Sequence, residues 1–414
     1  MVVGRDARVS GALFADMVMG TLQAAGCDVI DAGLATTPTV EMAVVKEGAT
    51  GGIILSASHN PAEWNALKLL GGKGEFLSPA EASDVIARSE AGPDASGAWV
   101  SYDAYGTRRT ESYLDYHIEQ ILALPEIKPD VIARRDFRIV VDAVNSVGGI
   151  ALPALLRRLG IRDEQMVLIH CEPTGLFAHP AEPLPENLTE ICARVASEGA
   201  DLGLVVDPDA DRLALIEDGG TYMSEELTQV IAADFWWGHH DGPFVTNLSS
   251  SRAIDDVAAR RGQASYRAAV GEINVVEEMK RRGAVIGGEG NGGVILPALH
   301  HGRDALVGTA MVLQHLADTG HSLSDVRKGL PRYDIVKMKT DIGDRDPGAL
   351  LDTMAKRYAD ARISTIDGVK IDLDEGWVHL RRSNTEPIIR VYAESTSADA
   401  ARALGERFMG ELLA

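Results

Sequence analysis

The sequence is short of cysteine, aromatic residues and positive charge, and it has no long apolar run. Its three cysteines, Cys27, Cys171 and Cys192, lack metal-ligand spacing and disfavour a disulfide framework, so a reduced, cytoplasmic setting fits best. Lys and Arg number 40 against 61 Asp and Glu, and the net charge of −21 disfavours nucleic acid or an anionic membrane as a partner. Neither a signal peptide nor a run of about 18 apolar residues is present, which argues against a membrane protein.

What the sequence does contain is a strand–loop–helix unit that recurs. A short apolar strand, a loop of small residues and a helix closed by glycine follow one another near Val2, Arg138 and Phe244. After Gly329-Leu-Pro331 the pattern changes to strands with fewer helices. We therefore predict an α/β protein with three related mixed-sheet α/β domains, residues 1–124, 125–220 and 221–330. A C-terminal α+β domain, residues 331–414, would complete it around a central cleft.

The stretch Ser56-Ala-Ser-His-Asn-Pro61 follows an apolar run that predicts a buried strand. Proline lacks an N–H and restricts the residue before it, so Ser58 is expected on a tight loop with His59 beside it. Open α/β enzymes carry reactive groups at such strand ends. The alternative is a polar turn without a function, in which His59 only caps the loop. Lys68 is a candidate for anion binding or proton transfer, although a lone lysine is more often a surface residue.

The stretch Asp207-Pro-Asp-Ala-Asp-Arg212 follows a second apolar strand and carries three carboxylates. At every second position of an extended loop, Asp207, Asp209 and Asp211 would point the same way and offer the hard oxygen ligands that suit Mg²⁺ or Ca²⁺. A calcium-binding EF-hand loop is excluded, because it needs glycine where Arg212 stands. Arg212 matches the geometry of a phosphate, or else balances the aspartates.

Two further loops carry polar side chains. Gly288-Glu-Gly-Asn-Gly-Gly293 has the glycine spacing of a dinucleotide site, but a strand ended by proline follows it instead of a helix, so we reject that function. Glu289 and Asn291 suit sugar hydroxyls, unless the segment is a plain glycine hairpin. Arg381-Arg-Ser-Asn-Thr-Glu-Pro387 has the composition of a phosphate site or of a solvated turn. The pairs His239-His240 and His300-His301 are interpreted as surface or core residues.

These four stretches, in this order, resemble the α-D-phosphohexomutases, and the resemblance runs from Gly4-Arg-Asp-Ala-Arg8 to Tyr392. It implies four domains around a cleft and a phosphoserine at Ser58, with His59 and Lys68 as further candidate catalytic residues. It also implies Mg²⁺ held by the Ser58 phosphate and the three aspartates, and Glu289 on the sugar. The residues that would grip the non-reacting phosphate are Arg381, Ser383, Asn384 and Thr385.

The resemblance implies a reaction in two phosphoryl transfers. Ser58 would give its phosphoryl group to a 1- or 6-phosphosugar, and the hexose 1,6-bisphosphate would turn over and return the other phosphate. Glucosamine phosphate is the preferred substrate, with mannose or glucose phosphate as alternatives. The enzyme would act as a monomer or homodimer. The sugar loop has Asn291 and Gly293 where many members carry serine and histidine.

Two other functions stay open on the sequence alone. Members usually carry an additional N-terminal strand and an arginine loop ahead of Gly4, so the chain could be a catalytically impaired sugar-phosphate binder. A Mg²⁺-dependent phosphatase using the same acidic loop is the third candidate, but the phosphate loop at Arg381 argues against it.

Overall fold

The first sheet is built of parallel strands with one antiparallel edge strand. The structure is a computed structural model that describes residues 1–92, 99–383 and 387–413. The strands of this sheet are β1 (Val2–Arg5), β2 (Val29–Leu34), β3 (Gly51–Leu55), β4 (Leu67–Gly71) and β5 (Arg108–Thr110). Their order is β4-β3-β1-β2-β5, and β4 runs antiparallel to β3. The edge strand β4 thereby brings Lys68 alongside the strand that leads into the Ser58 loop.

The second and third sheets repeat this plan. The second contains β6 (Ile139–Asp142), β7 (Met166–Ile169), β8 (Leu202–Val206), β9 (Leu213–Glu217) and β10 (Tyr222–Met223), in the order β10-β9-β8-β6-β7. The third contains β11 (Phe244–Asn247), β12 (Ser265–Ala268), β13 (Ile286–Glu289) and β14 (Gly293–Ile295), in the order β12-β11-β13-β14. In both, the antiparallel pair carries a candidate site loop between its strands.

The fourth sheet is antiparallel throughout. Its strands are β15 (Asp334–Asp341), β16 (Arg362–Ser364), β17 (Val369–Asp372), β18 (Gly376–Arg382) and β19 (Ile388–Ser395). Their order is β15-β19-β18-β17-β16. The predicted hairpin of the last segment is the pair β17 and β18. The predicted fold class, three mixed-sheet α/β domains and a C-terminal α+β domain, is confirmed.

Helices cover the sheets, and several end at a glycine in the left-handed conformation, as at Gly262 and Gly283. Within the described residues, no helix is both long and apolar enough to cross a membrane. The helices are α1 (Gly11–Ala24), α2 (Thr37–Lys46), α3 (Pro79–Ala91), α4 (Leu114–Leu122), α5 (Pro129–Ala133), α6 (Gly148–Arg158), α7 (Thr189–Glu198), α8 (Glu226–Trp236), α9 (Ala253–Arg261), α10 (Glu272–Arg282), α11 (Ala305–Thr319), α12 (Leu323–Gly329), α13 (Pro347–Arg357) and α14 (Ala398–Leu413).

The largest apolar core joins the second and third sheets. It contains Leu204 of β8, Ile231 of α8 and Leu313 of α11, together with Ile118 of α4. The first and fourth sheets have separate cores. The four domain boundaries stay a prediction. The shared core packs the second and third sheets against each other, and this fixes the relative position of the loops that they carry.

Candidate active site

Ser58 lies on a strained turn directly after β3. Its backbone φ is +49°, in the left-handed region that residues other than glycine rarely adopt. The Ser58 amide donates a 3.0 Å hydrogen bond to Oγ of Ser56. The residue is only 9% exposed, so Ser58 is largely shielded from solvent. Strain of this kind persists where the surroundings hold the backbone in place.

The three aspartates of the second loop converge, but on a tight turn. The sequence-based expectation of an extended loop is wrong, because Ala210 has a φ of +52° and the chain folds back on itself there. Asp207 orders the turn by accepting hydrogen bonds at Oδ1 from the amides of Asp211 and Arg212. One carboxylate oxygen from each aspartate lies within 4.8 Å of the others. The alternation of the aspartates along the sequence does not cause this convergence; the turn does.

The electrostatics of this cluster favour a cation. Asp207, Asp209 and Asp211 are completely buried, and Oδ1 of Asp209 and Oδ1 of Asp211 have no hydrogen-bond partner among the described residues. Burial raises the pKa of Asp207 well above its usual value, and the carboxylates of Asp211 and Asp209 raise it further. Three buried carboxylates, two of which have an unpartnered oxygen, are a fitting ligand set for a hard divalent ion. The cluster could therefore bind a metal.

Ser58 and Lys68 both contact this cluster. Oγ of Ser58 donates a 2.8 Å hydrogen bond to Oδ2 of Asp207. Nζ of Lys68 lies 2.5 Å from Oδ2 of Asp209 and 3.2 Å from Oδ2 of Asp211. Burial opposes the charge of Lys68, but the two aspartates outweigh it and raise the pKa of the ammonium group above its usual value. Lys68 is therefore a cationic donor in this arrangement.

Two further predicted residues lie near the cluster, His59 beside Ser58 and Arg212 beside the aspartates. Nδ1 of His59 is 3.4 Å from Oγ of Ser58. Burial, helped by the positive charge of Arg212, lowers the pKa of His59 to about 4, so the imidazole is neutral near pH 7. Nε of Arg212 is 3.7 Å from Oδ1 of Asp211 and 3.9 Å from Oδ2 of Asp207, and it makes no hydrogen bond to a described residue. Its remaining donors are available to an anion in the cleft.

The glycine-rich stretch is a tight β-hairpin that also lines the cleft. The turn between β13 and β14 places Gly292 at a φ of +90°, which only glycine adopts readily. Glu289 is buried, and its carboxylate accepts hydrogen bonds from Nδ2 of Asn247, at 2.8 Å, and from the amide of Gly271. Oδ1 of Asn291 accepts from the amide of Gly293. The segment is therefore a glycine hairpin that lines the cleft, and the contact of Glu289 and Asn291 with sugar hydroxyls stays a prediction.

Arg303 is a central residue of the site that no sequence motif indicated. Its guanidinium donates 2.7 Å and 2.8 Å hydrogen bonds to Asp211 and Glu289, and Nε donates at 2.9 Å to Glu272. It thereby ties the loop of the three aspartates to the hairpin of β13 and β14. The sole local signal is Asp304, whose Oδ1 caps α11 and fixes the backbone next to Arg303. The three partners lie far apart in the sequence, so their convergence depends on the tertiary fold.

The fourth loop is described in part. Arg381 belongs to β18 and not to the loop, and its Nε lies 2.9 Å from Oδ2 of Asp367. The Ser383 amide donates to the carbonyl of Ile388. Asn384 and Thr385 lie outside the described residues. Arg390 of β19 also lines the cleft, and the sequence analysis did not select it.

Residues from all four sheets, or from the loops beside them, line one cleft of about 350 Å³. His59 and Arg212 line it from the first and second loops, Glu289 lines it from the end of β13, and Arg381 lines it from β18. Besides the arginines, four glutamates line it: Glu182, Glu226, Glu272 and Glu289. A cleft with both guanidinium and carboxylate groups suits a small polar ligand that carries phosphate and hydroxyl or amino groups.

Comparisons with known proteins cover almost the whole chain. Models of the phosphoglucomutase/phosphomannomutase α/β/α domains I, II and III match residues 1–95, 112–220 and 224–333, and the model of the C-terminal domain matches residues 338–411. A phosphoglucomutase/phosphomannomutase of Thermococcus kodakarensis is 36% identical over 419 residues, covering 100% of this chain and 90% of the relative. A probable phosphoglucosamine mutase of Methanopyrus kandleri is 32% identical over 414 residues, covering 99% and 89%.

Among solved structures, a phosphoglucomutase/phosphomannomutase family protein from Burkholderia thailandensis has the same fold. Its TM-score is 0.84 at 23% sequence identity, and the superposition covers 100% of this chain and 88% of the other.

Proposed function

The chain belongs to the phosphoglucomutase/phosphomannomutase family of isomerases, and we propose that it moves a phosphoryl group between carbon 6 and carbon 1 of a hexose. The observation that carries this proposal is the placement of Ser58. Its hydroxyl lies 2.8 Å from a carboxylate of the buried acidic cluster and is flanked by His59. A serine in this setting suits a phosphoryl carrier, because cationic side chains and a carboxylate cluster able to hold a metal ion lie near the position that its phosphate would occupy.

The reaction proceeds by two transfers that mirror each other. In the first, the bond between phosphorus and Oγ of Ser58 breaks while a bond forms to a hydroxyl oxygen of the monophosphate sugar. The hydroxyl proton leaves, and Oγ of Ser58 regains a proton. We assign these two proton movements to Lys68 and His59, because Nδ1 of His59 lies 3.4 Å from Oγ of Ser58 and Lys68 contacts the same acidic cluster. The product is a hexose 1,6-bisphosphate, which reverses its ends in the cleft and returns the other phosphoryl group to Ser58.

A divalent cation, which we propose to be Mg²⁺, fits the ligand set. Asp207, Asp209 and Asp211 would hold it together with an oxygen of the Ser58 phosphate. When bound, it supplies positive charge that stabilises the transferring phosphoryl group. The protein's own part is to keep the three carboxylates together, which Asp207 does through the amides of the turn.

The remaining site residues hold the sugar and its second phosphate. We propose that Glu289 and Asn291 receive the sugar hydroxyls from the hairpin. Arg212 and Arg381 supply guanidinium groups to phosphate, and Ser383, Asn384 and Thr385 complete the distal phosphate site. This division has a physical reason, because a bisphosphate that reverses its ends needs one fixed anion site away from Ser58. The fixed site must accept either end of the sugar.

For the sugar, the cleft favours glucosamine phosphate. Glu226 is buried, lines the cleft and lies so close to Gly290 that a Cβ there would stand 2.0 Å from its Oε2. Among the described residues no Lys or Arg forms an ion pair with it, since Lys337 pairs with Glu225. An ammonium group on the sugar would give this buried carboxylate a cationic partner, whereas a hydroxyl at the same place would offer it a neutral hydrogen bond alone.

The test is a comparison of substrates with the purified chain. We expect interconversion of the 6- and 1-phosphates of glucosamine in the presence of Mg²⁺ and a hexose 1,6-bisphosphate, with a higher kcat/KM than for the mannose and glucose phosphates. Absence of turnover with all three sugars would reject the mutase. Faster release of free phosphate than of isomer would indicate a phosphatase, and a preference for mannose or glucose phosphate would reject the assignment of the sugar alone.

A further inference from the structure

Arg8 binds the backbone of the Ser58 loop at four points. The residue follows β1 and its side chain is completely buried. Nη2 donates to the carbonyl oxygens of Ser58, at 2.6 Å, and Asn60, at 2.8 Å. Nη1 donates to those of Pro61, at 2.5 Å, and Trp64, at 3.0 Å. A single guanidinium thus gathers carbonyls from the whole loop between β3 and β4.

The fifth donor of Arg8 closes a ring of contacts back to Ser58. Nε donates to Oδ2 of Asp6 at 3.0 Å, and the same carboxylate oxygen accepts from Oγ of Ser56 at 2.7 Å. Oγ of Ser56 in turn accepts from the amide of Ser58. All five N–H bonds of the guanidinium are therefore used. The Ser58 residue is held at its amide through Asp6 and Ser56 and at its carbonyl by Arg8 directly.

This arrangement determines which way the peptide groups of the loop face. No peptide bond in the described chain is cis, and in a trans peptide the C=O and N–H point in opposite directions. Because the Ser58 carbonyl points at Arg8, the amide N–H of His59 points away from it. Carbonyl oxygens drawn toward a buried cation are also kept away from a dianionic phosphate. The guanidinium thus stabilises the left-handed turn at Ser58 and also fixes the direction in which the carbonyl groups of the loop point.

We propose that Arg8 is a positioning residue of the phosphoryl carrier: it holds the Ser58 loop in the conformation in which Oγ can give and accept a phosphoryl group. This inference rests on the proposed mutase function. Arg8 does not touch the substrate, since its five donors are used within the protein. It acts through the backbone of residues 58–64.

Lysine cannot replace this contact pattern. An ammonium group has three donors and no planar fork, so Arg8→Lys preserves the charge beside Asp6 but loses at least two of the five hydrogen bonds. A misplacement on the order of 1 Å costs about 100-fold in rate when reacting atoms must be aligned. We therefore expect Arg8→Lys to lower kcat by at least about tenfold with KM for the sugar phosphate within about twofold.

The experiment compares wild type, Arg8→Lys and the control Arg135→Lys. Arg135 also donates to two backbone carbonyls, those of Gly320 and His321, but it is half-buried at a position that does not line the cleft. The readouts are kcat and KM, the rate at which Ser58 gains a phosphoryl group from glucose 1,6-bisphosphate by intact mass, and hydrogen exchange of residues 56–65. We expect slower phosphoryl uptake and faster exchange of that segment in Arg8→Lys alone, with wild-type exchange in the other domains.

The proposal is overturned if a folded Arg8→Lys has a kcat within about twofold of the wild-type value. It is also overturned if the variant loses activity only through a higher KM. If Arg8→Lys does not fold, Ser56→Ala decides, because it removes the hydroxyl that links Asp6 to the Ser58 amide and keeps Arg8. Unchanged kcat in a folded Ser56→Ala then overturns it. If the wild-type protein turns over no phosphosugar, the mutase function is refuted and not the role of Arg8. In that case the hydrogen exchange of residues 56–65 still shows whether Arg8 holds the loop.

Discussion

Oγ of Ser58 donates a 2.8 Å hydrogen bond to Oδ2 of Asp207, although the two residues are 149 positions apart. Each follows the end of a strand, β3 in the first sheet and β8 in the second. The contact places the only polar atom of the Ser58 side chain against the acidic cluster. A phosphoryl group on Oγ would lie next to the carboxylates, where it needs a cation to balance its charge.

Replacing Ser58 by alanine should abolish phosphoryl uptake. The variant has no hydroxyl to carry the group, so we expect no added phosphoryl mass after incubation with glucose 1,6-bisphosphate, and turnover below detection. The matched control is Ser265→Ala, which removes a hydroxyl that donates to Asp255 and does not line the cleft. Retention of turnover in Ser58→Ala would refute Ser58 as the carrier, and phosphoryl uptake by that variant would show that another residue is modified.

Asp209 provides a test of the metal. Magnesium that binds the folded chain raises its melting temperature, so wild type should be stabilised by added Mg²⁺ and lose this effect in EDTA. Loss of a residue that only hydrogen-bonds a metal ligand weakens metal binding roughly 10- to 100-fold. Asp209→Asn changes a proposed ligand itself, so it should weaken Mg²⁺ binding by more than that. The Mg²⁺ dependence of the melting temperature measures this. The control is Asp201→Asn, at an exposed position before β8, and Mg²⁺ should raise its melting temperature as it does that of the wild type. If Mg²⁺ stabilises Asp209→Asn equally well, Asp209 is not part of a Mg²⁺ site.

The parts of this site that were predictable from the sequence are those with local causes. An apolar run before Ser58 or Asp207 indicates a buried strand, and proline directly after Asn60 indicates a loop. Strand ends in α/β proteins gather at one edge of a sheet, so the positions of these residues follow. The rejection of a dinucleotide site at Gly288 also had a local cause, because β14 follows the turn where a helix would be needed.

The parts that escaped prediction depend on contacts between distant segments. Arg303 meets Asp211, Glu272 and Glu289 only after three loops have packed together, and no spacing in the sequence encodes that. The turn at Ala210 was missed for a different reason. Alternating aspartates fit an extended loop equally well, and a left-handed alanine has no sequence signature.

Removing the Arg303 guanidinium should destabilise the fold strongly. Arg303→Met leaves three buried carboxylates without their shared cation, and breaking a buried ion pair in this way costs roughly 3–5 kcal/mol. Urea unfolding followed by circular dichroism measures the change in the free energy of unfolding. Arg260→Met, which loses a single hydrogen bond to the carbonyl of Gly329 at an exposed position, should change it little. A loss in Arg303→Met no larger than in this control would show that Arg303 does not hold the loops together.

Glu226 gives the fold a pH dependence that glutamine removes. Burial raises the pKa of Glu226 from 4.5 to about 8, with Lys337 opposing and Glu225 adding to the shift. Between these two pH values the folded chain binds more protons at this site than the unfolded chain, so the contribution of Glu226 to stability falls as the pH rises. The slope is at most roughly 1.4 kcal/mol per pH unit, since one pKa unit corresponds to that free energy.

Glu226→Gln keeps an acceptor for the Ser251 amide, which bonds Oε2 of Glu226 in the wild type, but it cannot ionise. The free energy of unfolding of this variant should therefore rise relative to wild type from pH 5 to pH 8. Urea unfolding at several pH values measures the difference, and Glu277→Gln, the same change at an exposed position on α10, is the control. A constant difference would show that Glu226 is already ionised at pH 5. Since a sugar ammonium would pair with the ionised form, glucosamine phosphate should also raise the melting temperature of wild type more than that of Glu226→Gln at pH 7.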